Sequence, residues 1–223
     1  MRRTLFKVLG GPDGLTPCFG GKGDWPPPPN WTKPVRGELI PGQNGYHLCF
    51  KNGLIHWIGP TIWIAECGKE YVISRDVPAV VARTARLITR VESWNKTVAV
   101  LYAAECIREA AKVAGYQPND AVFSMISQIE LVADEALTGS DSAIDVLESI
   151  QSDARKAMAK ELINAKAMVV FGIERLAAAI SNDLPWDDIY YAMGLAWPSN
   201  ETSEMAKWRT DTLMSFLNLQ GIK

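Results

Sequence analysis

Two kinds of apolar spacing divide this chain. Up to about residue 93 the apolar residues come in short runs separated by Gly, Pro and Asn clusters, whereas from Trp94 onward they recur at three- and four-residue steps. The first pattern predicts strands at Thr4 to Leu9, Val35 to Leu39, Tyr46 to Phe50, Ile62 to Glu66 and Tyr71 to Ser74, with two helical turns over Lys51 to Trp57. The turn signals between them are Gly10-Gly11-Pro12-Asp13-Gly14, Pro41-Gly42-Gln43-Asn44-Gly45 and Gly68-Lys69. Pro78 to Val91 reads two ways. Val80, Val81, Leu87 and Ile88 suit a strand, while Arg83, Arg86 and Arg90 have helical spacing, which would put the three guanidinium groups on one face where they could grip an anion.

The second pattern predicts a helix capped by Asn95 and ended by Gly115, and another capped by Asn119 or Asp120 and ended by Gly139. A long apolar series from Ile144 through Leu162 to Ile180 is expected to break near Ser149 to Asp153. Asp187 to Trp197 forms a short helix stopped by Pro198, and Asn200 opens a last one that reaches about Leu219. The expected class is α+β: a small mixed or antiparallel-sheet domain over residues 1–93, followed by an all-α bundle over 94–223.

Composition sharpens that division. Residues 1–95 hold 12 Lys and Arg against 7 Asp and Glu, while residues 96–223 hold 11 against 18, so the halves carry opposite charge within a net of −2. The excess on the first half is small and no basic-aromatic motif accompanies it, which argues against nucleic acid as a partner. No apolar stretch has the length of a membrane span, and the run at Leu5-Phe6 breaks at Lys7, too soon for a signal-peptide core. Cys18, Cys49, Cys67 and Cys106 lack the dense spacing of a disulfide scaffold, so a cytoplasmic setting is expected.

Candidate chemistry concentrates around Gly45-Tyr46-His47-Leu48-Cys49, with Trp57-Ile58-Gly59-Pro60 and Ile62-Trp63-Ile64-Ala65-Glu66 close behind. Nitrogen and sulfur from His47, Cys49, His56 and Cys67 are the ligand types zinc takes, but the spacing has neither of the short pairs that mark a zinc site, and no metal is expected. Nucleophile elbows, Walker loops, dinucleotide fingerprints and His-Glu-x-x-His are absent. Ahead of this region, Trp25-Pro26-Pro27-Pro28-Pro29-Asn30-Trp31 is too proline-rich for a helix interior or a central strand. It reads as a rigid surface strap or, if Trp25 and Trp31 are both exposed, as a ligand for an aromatic groove.

Taken together, Val35-Arg36-Gly37-Glu38-Leu39, Gly45-Tyr46-His47-Leu48-Cys49, Trp57-Ile58-Gly59 and Ile62-Trp63-x-Ala65-Glu66 resemble an uncharacterised domain family of phage and bacterial genomes that carries an alanine-rich helical tail. That resemblance implies a phage or prophage setting and brings no activity. A non-enzymatic accessory protein that binds a host or viral protein, as one that counteracts or modulates a host system would, is the reading it favours. The same strand also resembles part of the ADP-ribosyltransferase-like fold. On that alternative NAD is the cofactor, Tyr46 and His47 orient a ribose, and Glu66 stabilises the charge that develops as the nicotinamide bond breaks.

Overall fold

A computed structural model describes residues 4–74, 77–159, 164–182, 186–197 and 201–219. It has the expected α+β class, with six antiparallel strands followed by helices. The chain divides into two compact units, one of Met1–Asn95 with Glu204–Lys223 and one of Lys96–Ser203. The change of apolar spacing predicts a single boundary after residue 93, with everything beyond it in the bundle. In the structure the last helix belongs with the sheet.

The strands are β1 (Leu5–Leu9), β2 (Tyr46–Cys49), β3 (Thr61–Cys67), β4 (Tyr71–Ile73), β5 (Ala79–Ala82) and β6 (Ala85–Arg90), in the order β4-β5-β2-β1-β3-β6. The ambiguous stretch is therefore a pair of strands. All four residues of β5 are buried, a pattern that fits a strand covered on both faces and not a surface helix.

Register shows how these strands close on one another. Cys67 faces Ala85, Gly68 N–H donates to Thr84 O at 2.8 Å, Arg83 N–H donates to Glu70 O at 3.0 Å, and Tyr71 faces Ala82. β3–β4 and β5–β6 are thus the two arms of one bent hairpin. Its β3 half pairs with β1, its β5 half pairs with β2, and β1 pairs with β2, so the hairpin wraps around that central pair. Gly68 stands at the bend because a Cβ there would strike Thr84 Oγ1. Alternate positions on one face, including Leu5, Leu9, Leu48, Trp63, Ala65, Val80, Ala82 and Leu87, form a contiguous core with Trp25 from the strap. Burying each large side chain of that set is worth about 1.5–3 kcal/mol.

Val35 to Leu39, expected as a strand, is irregular. One backbone bond, Val35 N–H to Arg83 O at 3.0 Å, and side chains satisfy it in place of a ladder: the Arg83 guanidinium donates to the carbonyls of Val35 and Gly37, and Asn44 Nδ2 donates to those of Arg36 and Glu38. Lys51–His56 forms a tighter 3-10 helix, and Gly53 is required there because a Cβ would meet the Pro78 carbonyl. The last helix, α6 (Ser203–Phe216), is tied into this unit at its middle and just past its C-terminus: Arg209 Nη2 donates to Ile55 O at 3.4 Å and Ser93 Oγ donates to Leu217 O at 2.8 Å.

The second unit packs α1 (Lys96–Val113), α2 (Ala121–Leu137), α3 (Asp141–Met158), α4 (Ala165–Ser181) and α5 (Trp186–Ala196). Gly115 and Gly139, at φ of +83° and +88°, end α1 and α2 as expected, each followed by an amide that reaches back five residues: Tyr116 to Ala111 and Ser140 to Glu135. The break expected near Ser149 to Asp153 falls later. α3 runs through that stretch because Leu147, Ile150 and Ala154 keep one buried stripe, and α4 starts only where Asn164 caps it by accepting from Ala167 N–H. Gly172 lets α4 approach α5 closely, since a Cβ there would meet Ala192 O and Ala196 Cβ, both at 2.8 Å. Leu162, Pro198 and Asn200, which carried sequence expectations, lie outside the described residues.

Candidate interaction site

The His47 strand is built around its own turn. Gly45, at φ +128°, leaves no room for a Cβ against Val81 Cγ1, so the chain enters β2 in a conformation only glycine adopts freely. The turn then folds back onto the imidazole: Gly42 N–H donates to Nε2 at 2.7 Å, and Nδ1 lies 3.0 Å from Gly45 O. This pairing makes Nδ1 the protonated nitrogen of a neutral ring. Burial lowers the pKa of His47, helped by the nearby Lys7 charge and opposed by the bond to Gly45. Both ring nitrogens are committed to backbone.

Its expected partners are committed elsewhere. Tyr46 donates its hydroxyl to Lys33 O at 3.0 Å and sets its ring edge-on to Trp25, with centroids 5.3 Å apart. Glu66 receives two hydrogen bonds from Arg86, at 2.8 and 3.0 Å, and the same guanidinium stacks on Trp31 at 4.9 Å from the ring centroid. Phe6 is the shared reference across the sheet, facing Cys49 on one side and Ile64 on the other. Continuing that register puts His47 level with Val8 and Glu66 level with Thr4, with β1 between their strands; at ordinary strand spacings that is a separation of roughly 16 Å. Tyr46, His47 and Glu66 do not converge on one point.

The three arginines are likewise spread. Arg83 is in the hairpin bend, paired with Glu70 at 2.7 Å; Arg86 faces Glu66 on β3; Arg90 is exposed at the end of β6 opposite Trp63. An anion grip needs them on one helical face, and the stretch is not helical. Cys49 is buried with Sγ 3.5 Å from Phe6 O, and burial pushes its thiol up to about 12. Among the described residues no three His, Cys, Asp or Glu side chains gather as metal ligands would. Lys7, half-buried on β1, holds its ammonium 5.3 Å from the Trp25 ring centroid, and burial lowers its pKa while the Cys49 and Cys18 thiols act in the opposite direction.

The strap's two tryptophans part company. Trp25 is 5% exposed and belongs to the core, whereas Trp31 is 45% exposed and bridges to Arg86 at the outer edge of β6. Beside it, Thr32 N–H donates to Ala85 O at 2.8 Å, and Thr32 Oγ1 accepts from Ala85 N–H at 2.9 Å. The strap therefore covers the start of one edge of the sheet, and the groove-ligand geometry, which requires both tryptophans exposed, is not present.

The opposite edge is β4, and it is bare. Tyr71, Val72 and Ile73 are 50%, 38% and 59% exposed, three apolar residues in succession on a strand of three. By its sequence this stretch is an ordinary strand with no chemistry of its own. The signal it carried was its brevity between the Gly68-Lys69 turn and the charged pair Arg75-Asp76, a mark of an edge strand. No helix among the described residues is long and apolar enough to cross a membrane. Comparison of the chain with protein-family models, with curated proteins and with solved structures returned no match in any of the three.

Proposed function

We propose that the chain is a non-enzymatic protein-binding protein, acting in the cytoplasm, with an accessory role of the kind its phage-like segments suggest. The observation that carries this reading is β4, whose three exposed apolar side chains are a feature that folding alone does not require. A soluble monomer gains nothing from an uncovered apolar edge, and such edges are a hazard unless something pairs with them. The arrangement of the candidate catalytic groups supports the same reading. His47, Tyr46 and Glu66 each satisfy a neighbour inside the fold, so no titratable group among them is left poised for substrate. A host or viral protein is the partner this role calls for, with no cofactor.

The test is affinity capture with the full chain from a lysogenic or infected bacterial host, followed by reconstitution from purified components. A stoichiometric complex with one protein supports the reading. Transfer of label from nicotinamide dinucleotide to a target, lost in Glu66→Gln and His47→Ala, would replace it with the transferase alternative.

A further inference from the structure

The bare edge is specific enough to say what binds there and how. Arg83 N–H donates to Glu70 O and Ser74 N–H donates to Ala79 O, which makes Tyr71–Ala82 and Ile73–Val80 the widely bonded pairs of the β4–β5 ladder. Val72 then turns its own N–H and C=O toward Val81, and those of Tyr71 and Ile73 point away from the sheet. No described residue bonds to them on that side. Two donor–acceptor sets one residue apart, roughly 7 Å from each other, are what an added strand pairs with. On the opposite edge the corresponding groups of Ala85 are taken by Thr32.

Size and charge select the occupant. Three residues of strand extend only about 10 Å, a span that a short linear segment pairs along in full. Lys69, next to the strand, is exposed and in no ion pair, while the carboxylate of Glu70 is already taken by Arg83. Among the described residues the edge is thus apolar, with one unneutralised positive charge at its head.

We propose that β4 binds an extended, acidic peptide segment of a partner protein by strand addition, its backbone pairing with Tyr71 and Ile73 and a carboxylate meeting Lys69. This rests on the protein-binding reading and narrows it to one edge and one kind of ligand.

The probe is a synthetic peptide, Glu-Glu-Thr-Val-Ile-Val-Thr-Gly, titrated into the full chain with isotope-labelled amides, alongside a counterpart with Lys in both Glu positions. Saturable shifts centred on Tyr71 and Ile73, slowed exchange of those two amides, and at least tenfold weaker binding of the Lys peptide are expected. Ile73→Pro removes one outward donor while leaving the Val72–Val81 bonds, and should weaken binding tenfold or more with the remaining amide spectrum intact. Should that variant misfold, Lys69→Glu serves instead and should invert the preference between the peptides. Absence of saturable binding, shifts centred elsewhere, binding unchanged by these variants, or concentration-dependent dimerisation through β4 would each overturn the proposal. Protein capture that survives Ile73→Pro sinks strand addition and leaves the protein-binding reading standing; failure of the full chain to capture any protein sinks both.

Discussion

The two edges of this sheet have the same problem and different solutions. Each ends in a strand with outward backbone groups that must find water or a partner. At β6 the proline-rich strap supplies the partner: Thr32 takes both outward groups of Ala85, and Trp31 lies over Arg86, which grips Glu66 on the next strand. At β4 the corresponding groups of Tyr71 and Ile73 meet nothing among the described residues, and the side chains that accompany them are apolar. The strap thus closes the start of β6, while residues 88–90 of that strand stay exposed, and β4 stays open along its whole described length.

Proline substitution should separate the inward from the outward side of β4, and this is the largest effect expected. Val72→Pro breaks the ladder to β5 and should cost about 3 kcal/mol or more, whereas Ile73→Pro removes an amide that faces outward and should cost less than about 1 kcal/mol. Urea denaturation followed by circular dichroism measures both. Equal losses would mean that the register assigned to this edge is wrong.

The covered edge should respond to loss of its cover. Thr32→Val keeps the shape of the side chain but deletes the acceptor for the buried Ala85 amide, and should destabilise the fold by about 1–3 kcal/mol. On the bare edge a change of the same kind, Tyr71→Thr, should stay within about 0.5 kcal/mol, as surface changes usually do. If the two variants have equal midpoints, the strap contributes no more to β6 than water does to β4.

The contrast also shows which parts of this structure could be read in advance. The first four strands of the sheet, the α+β class and the glycine helix stops follow from local spacing, and local spacing was sufficient for them. The strand pair over 79–90 was ambiguous because its arginines happen to fall at helical intervals; only the pairing of Ala82 with Tyr46 and of Arg86 with Glu66 decides it. Two errors have one cause. Val35 to Leu39 has strand composition but gives its backbone to Arg83 and Asn44, and α3 continues through a polar stretch because its buried stripe does not stop there. Tertiary partners overrode local propensity in both. Around His47 the sequence located an unusual group of residues, yet it could not show that Gly42 and Gly45 would occupy both imidazole nitrogens.

A smaller effect is expected from the stack that ties the strap to β6. Arg86 is held on one side by the Glu66 carboxylate at 2.8 Å and on the other by the Trp31 face, with about a third of each ion-pair side chain exposed. A double-mutant cycle between Arg86→Met and Glu66→Gln should return a coupling of about 0.5–1 kcal/mol, lower in high salt because the pair is partly screened. The Trp31→Ala variant should reduce that coupling, since without the ring the guanidinium loses the surface that orients it. A cycle energy indifferent to Trp31 would show that the strap merely lies over an ion pair formed without it.

The smallest effect is a pH dependence, and it separates the fold from its open edge. His47 is held neutral by burial, so its folded pKa lies below the ordinary value of 6.5. The unfolded chain therefore binds the proton first as pH falls. Stability is full above 6.5 and declines as pH drops from there through the folded pKa, and the sign is that of a group whose charged form is disfavoured in the native state. Urea midpoints between pH 7.5 and 5.5 should fall accordingly, and His47→Asn should flatten that slope. β4 carries no histidine, so peptide pairing at Tyr71 and Ile73 should remain level while the fold weakens. Binding that tracks the midpoint down would mean that the edge depends on the imidazole turn, and that the two regions are not independent.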